Sequence, residues 1–228
     1  MFSEVADTGN YDIFADERSN PLLREVKGDL RNPADVKKAL EGADAVIHLA
    51  NVANDPAGDL DPKLTWEVNA LSMAQLAENA KREGVGQFLY ASSGSVYGVS
   101  DAPQVSEETA LFPLTEYNKS KMVAERVLLS YADDMAAQII RPGTCCGVSP
   151  RQRLDITVNG MAIGACGTRK LTIVNGDQVR PNIHIQDLTD LLNEYEKAGN
   201  GKMKYTLIEP KTEEQKTAAR EAGLQEMM

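Results

Sequence analysis

The sequence has few of the features that mark disulfide-bonded, exported or membrane-spanning proteins. It contains three cysteines, Cys145, Cys146 and Cys166, and no Cys-x-x-Cys pair, which favours free thiols in a reducing compartment. No uninterrupted apolar run reaches the roughly 18 residues that a membrane span needs. The first residues are acidic and lack a basic segment followed by an apolar core, so no secretory signal is recognisable. We therefore expect a cytoplasmic protein without a membrane span.

Histidine and positive charge are also scarce. The two histidines, His48 and His184, lie in apolar strand-like segments, which favours packed core side chains over metal ligands. The 34 acidic residues outnumber the 24 basic ones, and the net charge of −10 argues against nucleic acid as a partner, because phosphate binding needs a basic surface. Apolar residues make up 42% of the 228, an ordinary globular composition for one large domain or one and a half.

Short apolar segments alternate with helical patterns along the first two thirds of the chain. The spacing predicts strands over 11–16, 24–30, 44–50, 87–92 and 137–142, with 44–50 as a buried strand, and helices over 33–42, 62–82 and 115–131. This alternation predicts an α/β fold with a doubly wound, Rossmann-like parallel sheet over 1–142. A looser pattern over 143–228 predicts a smaller second lobe, and 212–228 has the pattern of a charged terminal helix.

A tyrosine and a lysine lie four residues apart on the predicted helix 115–131. This spacing puts Tyr117 and Lys121 on one helix face. A lysine ammonium stabilises a nearby phenolate and so lowers the tyrosine pKa from its ordinary value near 10. Such a tyrosine can act as a base or an acid at neutral pH. Tyrosine and lysine are common on helices, however, so the pair alone fits a surface pair at least as well.

Serines follow the predicted strand 87–92. Ser92, Ser93 and Ser95 lie at its carboxyl end, where ligands bind in open α/β sheets. A hydroxyl there could bind the oxygen that gains or loses a proton. Turn chemistry explains the serines themselves, but not their combination with Tyr117, about 24 positions further on.

Taken together, these motifs resemble the extended short-chain dehydrogenase/reductase family, specifically its NAD-dependent sugar-nucleotide epimerases and dehydratases. The resemblance extends over about residues 11–192. The segments that carry it are Gly28-Asp29-Leu30, His48-Leu49-Ala50, Trp66-Glu67-Val68-Asn69, Ser92 to Gly98, Tyr117 to Lys121, Arg141-Pro142 and 179–187. It implies NAD as cofactor, a nucleoside-diphosphate sugar as substrate, and a homodimer formed through the helices 62–82 and 115–131. The apolar faces of these helices fit packing on the sheet equally well.

The resemblance also implies a role for each matched residue. Tyr117 would transfer the proton and also contact the cofactor, Lys121 would stabilise its phenolate and bind the ribose, and Ser93 would orient the substrate oxygen. The other cofactor contacts would come from strand ends and turns: Asp16, Asp29, Leu30, Leu49, Ala50, Asn51, Asn69 and Pro142. The sugar nucleotide would contact Thr144, Arg153, Asn159 and Arg180, with the two arginines on its diphosphate.

Two positions bear on the choice of cofactor and of reaction. Asp16, at the end of a predicted strand, can accept hydrogen bonds from a ribose hydroxyl and would repel a 2′-phosphate, which favours NAD over NADP; a solvated carboxylate is the alternative. The resembled 4,6-dehydratases carry an Asp-Glu pair just after the catalytic hydroxyl residue, whereas this chain has Gly94 and Ser95. Elimination is therefore disfavoured, and we expect epimerisation with Tyr117 as base. A reductase or dehydratase on the same scaffold, or a non-catalytic binding protein, is the alternative.

The glycine-rich turn of the family, G-x-x-G-x-x-G, has no counterpart near the start of the sequence. Residues 1–27 contain only Gly9. We therefore expect the first, central strand and the pyrophosphate-binding loop to be missing from the chain. The strands 11–16 and 44–50 would then pair directly, another chain would fill the gap, or the sequence is a fragment of a longer protein. The second lobe is also expected to be incomplete.

Overall fold

The computed structural model describes residues 21, 23–100, 104–149, 153–169, 173 and 179–190. The chain forms two compact units, of which the first comprises Arg24–Gly143 and the second continues from Thr144. The predicted strand 11–16 with Asp16, and the predicted helix 212–228, lie outside the described residues.

A three-stranded parallel sheet forms the centre of the first unit. Its strands are β1 (Ala45–His48), β2 (Gln87–Ala91) and β3 (Ala136–Ile140), in the order β1-β2-β3. Residue Ala45 of β1 pairs with Gln87 of β2, and Gln87 pairs in turn with Ala136 of β3. Because all three strands run in the same direction, their carboxyl ends meet at one edge. The predicted α/β class with a parallel sheet is confirmed.

Two of the strand predictions differ from the structure: the one over 24–30 is wrong, and the one over 44–50 is wrong in part. Residues 24–30 form no strand, and they belong to neither of the two sheets that the described residues form. The strand β1 exists, but it is not buried on both faces: the side chains of Ile47 and of the following Leu49 are 50% and 69% exposed. Among the described residues β1 pairs only with β2, and helices cover only the face that carries Val46 and His48. The alternate side chains therefore remain in solvent.

The first helix forms where its sequence signals predict it. Helix α1 (Pro33–Leu40) follows Asn32, whose side chain accepts a hydrogen bond from the Ala34 amide. Proline at the first position already has helical φ and lacks a donor that the helix start would leave unpaired. Just after the helix, Gly42 adopts a φ of 74°, which allows the chain to turn away. The predicted helix 33–42 is confirmed.

The helix predicted over 62–82 is present, but a π-helical turn interrupts it. The segments after β1 are α2 (Asp55–Leu60), α3 (Pro62–Trp66), the π turn (Glu67–Leu71) and α4 (Ser72–Arg82). A π turn inserts one extra residue into a helix and is common at functional sites. The spacing of apolar residues over 62–82 predicted one continuous helix and did not predict this turn.

One apolar core packs α1, α4 and α5 (Glu116–Leu129) onto a single face of the sheet. The buried members of this core are Leu30, Val36, Leu40, Met73, Leu76, Ala77, Ala80, Val85, Phe88, Tyr90, Ala124, Leu128 and Met135. The helices predicted over 62–82 and 115–131 were expected to form a dimer through their apolar faces. Ala77 and Leu128 on these faces pack inside the unit, whereas Leu71 is exposed.

The second unit contains a small parallel sheet and one helix among its described residues. Strand β4 (Thr144–Cys146) pairs with β5 (Asn182–His184), and α6 spans Thr157–Thr168. His184 is exposed, and its Nδ1 accepts a hydrogen bond from the Gln186 amide, so the expectation of a packed core histidine is wrong there and right for His48. A strand of three residues in a two-stranded sheet is too small to bury an imidazole.

All three cysteines are free thiols, and Cys166 is exposed. In the part of the chain that the structure describes, no three histidine, cysteine or acidic side chains gather as metal ligands would. None of the described helices combines the length and the apolar character that a membrane crossing requires.

Candidate active site

The loops that leave β2 and β3 are joined at the carboxyl edge of the sheet. The Ser92 amide donates to the Ile140 carbonyl and the Gly94 amide to the Pro142 carbonyl, each at 2.8 Å. A Cβ atom at Gly94 would lie 3.1 Å from the Pro142 oxygen, which explains the glycine at this position. Ser93 lies between these two bonds and is held at the edge where ligands bind in such folds.

Helix α5 brings Tyr117 and Lys121 to the same edge. The helix begins after Thr115, whose Oγ1 accepts a hydrogen bond from the Asn118 amide. The Lys121 side chain is 2% exposed, and its Nζ donates to the Ala91 carbonyl at the end of β2, at 2.5 Å. The same Nζ lies 5.9 Å from the centre of the Tyr117 ring. The structure therefore brings together the tyrosine and the lysine whose spacing predicted a common face.

The charge of Lys121 is costly in its surroundings. Burial lowers the pKa of Lys121 to about 7, while the carboxylate of Glu125, one turn further along α5, acts in the opposite direction. The ammonium also lies 4.5 Å from the centre of the Tyr90 ring, whose π face attracts cations. Tyr90 also stacks with His48. Burial, followed by the charge of Lys121, lowers the His48 pKa to about 3. His48 is therefore neutral, and an anion beside Lys121 would favour the charged form of the lysine.

The burial of Lys121 predicts that stability depends on pH. Its pKa returns from about 7 to 10.5 on unfolding, so between these values the unfolded chain binds more protons and the free energy of unfolding rises with pH. We expect Lys121→Met to be more stable than wild type at pH 7, with an advantage that shrinks by on the order of a few kcal/mol towards pH 10. Urea denaturation at a series of pH values measures this. Lys119→Met, on the same helix, is the control, and its free energy of unfolding should change with pH in parallel with that of wild type. If Lys121→Met also runs parallel to wild type, burial does not lower the pKa of Lys121.

The serine turn is hydrogen-bonded to the start of α5. Ser93 caps a short 3₁₀ helix, Gly94–Tyr97, by accepting a hydrogen bond from the Ser95 amide at 3.2 Å. The two hydroxyl oxygens of Ser93 and Ser95 are 2.7 Å apart, and the Ser95 hydroxyl donates to Asn118 Oδ1 at 2.5 Å. Asn118 directly follows Tyr117 in the sequence. The contacts from Ser93 through Ser95 to Asn118 therefore connect the serine turn with the residue next to Tyr117.

Asn69 braces the loop after β1 from within the π turn. Its Oδ1 accepts from the Val52 amide at 2.8 Å, and its Nδ2 donates to the Val52 carbonyl and to Ser120 Oγ, each at 3.0 Å. Ser120 in turn donates to the Tyr117 carbonyl. Both amide hydrogens of Asn69 are therefore used within the protein, and its effect on a cofactor would act through the position of residues 51–52.

We expect Asn69→Ala to lower the free energy of unfolding by about 1–3 kcal/mol, because it leaves the Val52 backbone groups without their partners. The midpoint and slope of urea denaturation measure the change. Asn79→Ala, further along on α4, removes the same side chain at a position where its amide donates to the Gln75 carbonyl, at 2.8 Å. A loss for Asn69→Ala no larger than that for Asn79→Ala would contradict the bracing role.

A buried ion pair that supports the site was missed by reasoning from the sequence. Arg141, just after β3, donates two hydrogen bonds to Glu125 of α5 and one to the Tyr97 hydroxyl, at 3.0, 2.7 and 2.9 Å. Glu125 has no exposed side-chain surface. The only sequence signal for it was an acidic residue four positions after Lys121, on a helix face that is otherwise buried.

Asn51, in the loop after β1, has the properties of a cofactor ligand. Its Nδ2 and Oδ1 are both buried and have no hydrogen-bond partner among the described residues, and the same holds for Ser92 Oγ. Buried amides are rarely left unpaired, because the lost hydration costs free energy. A dinucleotide supplies both donors and acceptors, so these residues at the sheet edge fit the NAD that the resemblance implies. Ala50 and Pro142 lie half-buried at the same edge, and the exposed Leu49 precedes them.

The acidic turn at the end of 24–30 is held by its own contacts. The Asp29 carboxylate accepts several hydrogen bonds from Arg31, the shortest at 2.7 Å, and these lower its pKa. Arg31 also donates to Glu67 of the π turn. The Leu30 side chain is buried in the core and is therefore not available to a ligand. The Leu30 carbonyl accepts a hydrogen bond from Gln75.

The four residues predicted to bind the sugar nucleotide lie in the second unit. The Thr144 amide donates to the Pro181 carbonyl, at 3.0 Å, in the ladder of β4 and β5. Arg153 forms an ion pair with Asp155. Asn159 uses both ends of its amide to connect the Gly147 amide with the Arg153 carbonyl, and Arg180 is exposed just before β5.

A family model described as the NAD dependent epimerase/dehydratase family matches residues 6–199 of the chain. One relative, the probable UDP-arabinose 4-epimerase 1 of Oryza sativa subsp. japonica, is 28% identical over 200 residues, which cover 78% of this chain and 48% of the relative. Another, the uncharacterized UDP-glucose epimerase YtcB of Bacillus subtilis (strain 168), is 30% identical over 158 residues, 68% of this chain and 49% of the relative. The chain thus spans about half the length of these relatives.

Solved structures with the same fold include both epimerases and dehydratases. A double mutant of DesIV, the dTDP-glucose 4,6-dehydratase of Streptomyces venezuelae, with NAD bound, has a TM-score of 0.68 and 25% identity, covering 77% of this chain and 55% of that one. The UDP-glucose 4-epimerase of Thermus thermophilus in complex with NAD has a TM-score of 0.63 and 26% identity, covering 74% and 58%. The predicted family resemblance and the Rossmann-like fold are confirmed.

Proposed function

Because the chain belongs to the NAD dependent epimerase/dehydratase family, we propose that it epimerises a nucleoside-diphosphate sugar by oxidising one carbinol carbon and reducing it again. The observation that carries the proposal is the buried Lys121 ammonium, 5.9 Å from the centre of the Tyr117 ring at the carboxyl edge of the sheet. Similarity to UDP-arabinose and UDP-glucose epimerases supports the same substrate class.

The proposed chemistry divides between the cofactor and the chain. NAD, when bound, would supply the chemistry of hydride removal from the sugar carbon and of hydride return to it. Tyr117, as phenolate, accepts the proton of the carbinol hydroxyl and later gives it back to the same oxygen. The ammonium of Lys121 stabilises the phenolate, and the phenolate in turn favours the charged form of the buried lysine. Ser93 binds the substrate oxygen and orients it towards Tyr117.

The other predicted roles complete the proposal. Asp16, Asp29, Leu30, Leu49, Ala50, Asn51, Asn69 and Pro142 would hold or position NAD, with Leu30 through its backbone and Asn69 through the loop 51–52. Thr144, Arg153, Asn159 and Arg180 would contribute to sugar-nucleotide binding. The division into an NAD-binding domain over 1–142 and a sugar-nucleotide lobe over 143–228 stays a prediction, as do the homodimer and the cytoplasmic location.

Epimerisation is preferred to elimination because of the residues after Ser93. A dehydratase needs an acid and a base to remove water, and Gly94 and Ser95 supply neither. The Ser95 hydroxyl is instead hydrogen-bonded to Asn118.

The test is to incubate the purified protein with NAD and UDP-glucose or UDP-arabinose in D₂O and to follow the sugar by NMR. Epimerisation through one carbon gives the epimer without deuterium on the sugar ring. Elimination gives a deuterated keto-deoxy sugar, which would contradict the proposal. Denatured protein is also analysed for released nicotinamide by mass spectrometry. If none is found and none binds at millimolar concentration, the protein is not an active epimerase.

A further inference from the structure

The short helix α2 packs against the first turn of α5, where Tyr117 lies. Gly58 of α2 is buried, and a Cβ atom at this position would lie 3.1 Å from the Cβ atom of Tyr117 and 3.4 Å from its amide nitrogen. A contact of 3.1 Å is tighter than most that real Cβ atoms make, so a side chain here would push its neighbour away by a few tenths of an ångström. The mechanism above uses no residue of α2.

Hydrogen bonds hold α2 on both sides. Towards α3, the hydroxyl of the fully buried Thr65 donates to the carbonyls of Gly58 and Asp61, at 3.0 and 2.9 Å. Towards α5, the Asp55 carboxylate accepts from the hydroxyl of Thr115, the residue that caps the helix, at 2.6 Å. Because α2 cannot retreat without breaking these bonds, the shift that a methyl group at position 58 requires would be taken up by Tyr117.

The placement of α2 also costs backbone free energy. Asn54, which caps α2, has a φ of 70° and a ψ of 160°, a conformation that favours glycine. Its Oδ1 accepts from the Ala57 amide at 2.9 Å, which starts the helix. Strained residues of this kind persist where the surrounding structure determines them, and they are common at functional sites. Asn54 ends the loop that contains Asn51, so α2 joins the candidate NAD ligand to the helix of Tyr117.

We propose that Gly58 is a positioning residue, which sets the place of Tyr117 by letting α2 approach it without a side chain. This inference rests on the proposed function. A general base has to lie within hydrogen-bond reach of the proton that it accepts, about 2.6–3.2 Å between the two heavy atoms. A shift of a few tenths of an ångström at Tyr117 therefore matters for transfer of the carbinol proton. Gly58 has no side chain of its own, so it acts on the reaction only through Tyr117.

The test compares Gly58→Ala with Gly86→Ala in the full chain, with NAD and UDP-glucose or UDP-arabinose present. Gly86 is exposed, and a Cβ atom there would make an ordinary contact, 3.8 Å from the Asp44 carbonyl oxygen. We expect Gly58→Ala to lower the single-turnover rate of nicotinamide reduction about tenfold, since misplacement by 1 Å can cost about a hundredfold. The KM for the sugar nucleotide and the affinity for NAD should change little. Gly86→Ala should keep the wild-type rate.

A merely structural role for Gly58 gives a different result. It would lower the fraction of folded protein and leave the rate per folded molecule unchanged, with the same KM as wild type. Urea denaturation of Gly58→Ala measures the folded fraction, by which the rate is divided. A corrected rate equal to that of wild type would overturn the inference.

A second readout needs neither cofactor nor substrate. Trp66 is the only tryptophan of the chain, and its Nε1 donates to Glu116, the residue before Tyr117, at 2.7 Å. Its fluorescence therefore reports on the first turn of α5. We expect Gly58→Ala to shift the Trp66 emission and Gly86→Ala to leave it unchanged. An emission identical to that of wild type in Gly58→Ala would show that Tyr117 and its turn have not moved, which contradicts the inference.

Asp55 provides a second variant in case Gly58→Ala does not fold. Asp55→Ala removes the acceptor of the Thr115 hydroxyl, whereas Asp55→Asn keeps an oxygen at this position. The rate per folded molecule should fall in Asp55→Ala and return towards that of wild type in Asp55→Asn. If wild type epimerises the sugar and the folded variants keep its rate, the inference fails and the proposed function stands. If wild type converts no sugar nucleotide, the proposed function fails and the inference fails with it.

Discussion

Replacing Tyr117 by phenylalanine will lower the rate of hydride transfer from the sugar nucleotide by about 10²- to 10⁴-fold, the usual contribution of a positioned acid–base group. The variant loses one hydroxyl and keeps the ring that lies beside Lys121. NAD binding should therefore change little. Single-turnover measurement of nicotinamide reduction gives the rate, and calorimetric titration with NAD gives the affinity.

The matched control for Tyr117→Phe is Tyr131→Phe. Tyr131 lies just beyond the end of α5, and its hydroxyl donates to Glu78 at 3.4 Å, away from the serine turn. We expect this variant to keep the wild-type rate. A strong loss of NAD affinity in Tyr117→Phe would show that the hydroxyl binds the cofactor rather than the substrate proton. Equal rates in the two variants would remove Tyr117 from the reaction.

Local signals in the sequence were enough to predict the elements that carry the candidate site. Thr115 marks the start of α5, and four-residue spacing puts Tyr117 and Lys121 on one face of it. Asn32 and Pro33 mark the start of α1. In each case the interacting groups are within a few residues of one another, so spacing alone determines whether they meet.

What the sequence did not predict depends on contacts between distant residues or on small shifts in hydrogen bonding. Residues 24–30 have strand-like composition, yet strand formation requires a partner that local sequence does not specify. The π turn around Asn69 changes which carbonyl an amide bonds, and apolar periodicity does not record that. Ser95 and Asn118 are 23 positions apart, so their hydrogen bond emerges only once β2 and α5 have packed.

The pair of Glu125 and Arg141 is another interaction between residues that are distant in the sequence. Arg141 binds Glu125 with two nitrogens and Tyr97 with the third, and its guanidinium lies 5.1 Å from the centre of the Tyr97 ring. The hydrogen bonds from Arg141 fix the end of β3 to α5 and to the 3₁₀ helix that follows Ser93. The pair therefore holds both elements of the candidate site through one guanidinium.

We expect Glu125→Ala to lower the free energy of unfolding by about 3–5 kcal/mol, because it leaves a largely buried guanidinium without its counter-charge. Urea denaturation measures the loss. The control is Glu78→Ala, which removes an acid of α4 that pairs with Arg82 at the surface, at 2.8 Å. Exposed pairs of this kind contribute about 0.2–1 kcal/mol. If the two variants lose similar amounts, the Glu125 pair does not stabilise the site.

Removing both partners separates the stability that the ion pair itself contributes from the free-energy cost of leaving one buried charge unpaired. Breaking a buried pair is expensive mainly because one charge remains, so Glu125→Gln combined with Arg141→Met should recover part of the stability lost in Glu125→Gln alone. The double variant still lacks the hydrogen bond that Arg141 donates to Tyr97.

Without the Glu125 carboxylate the pKa of Lys121 should also fall below its value of about 7, since that charge opposes the effect of burial. The pH range over which the free energy of unfolding rises would then begin at a lower pH in Glu125→Gln than in wild type, and urea denaturation of Glu125→Gln at a series of pH values detects this. An unchanged onset would mean that Glu125 is neutralised by Arg141 and acts on the fold alone.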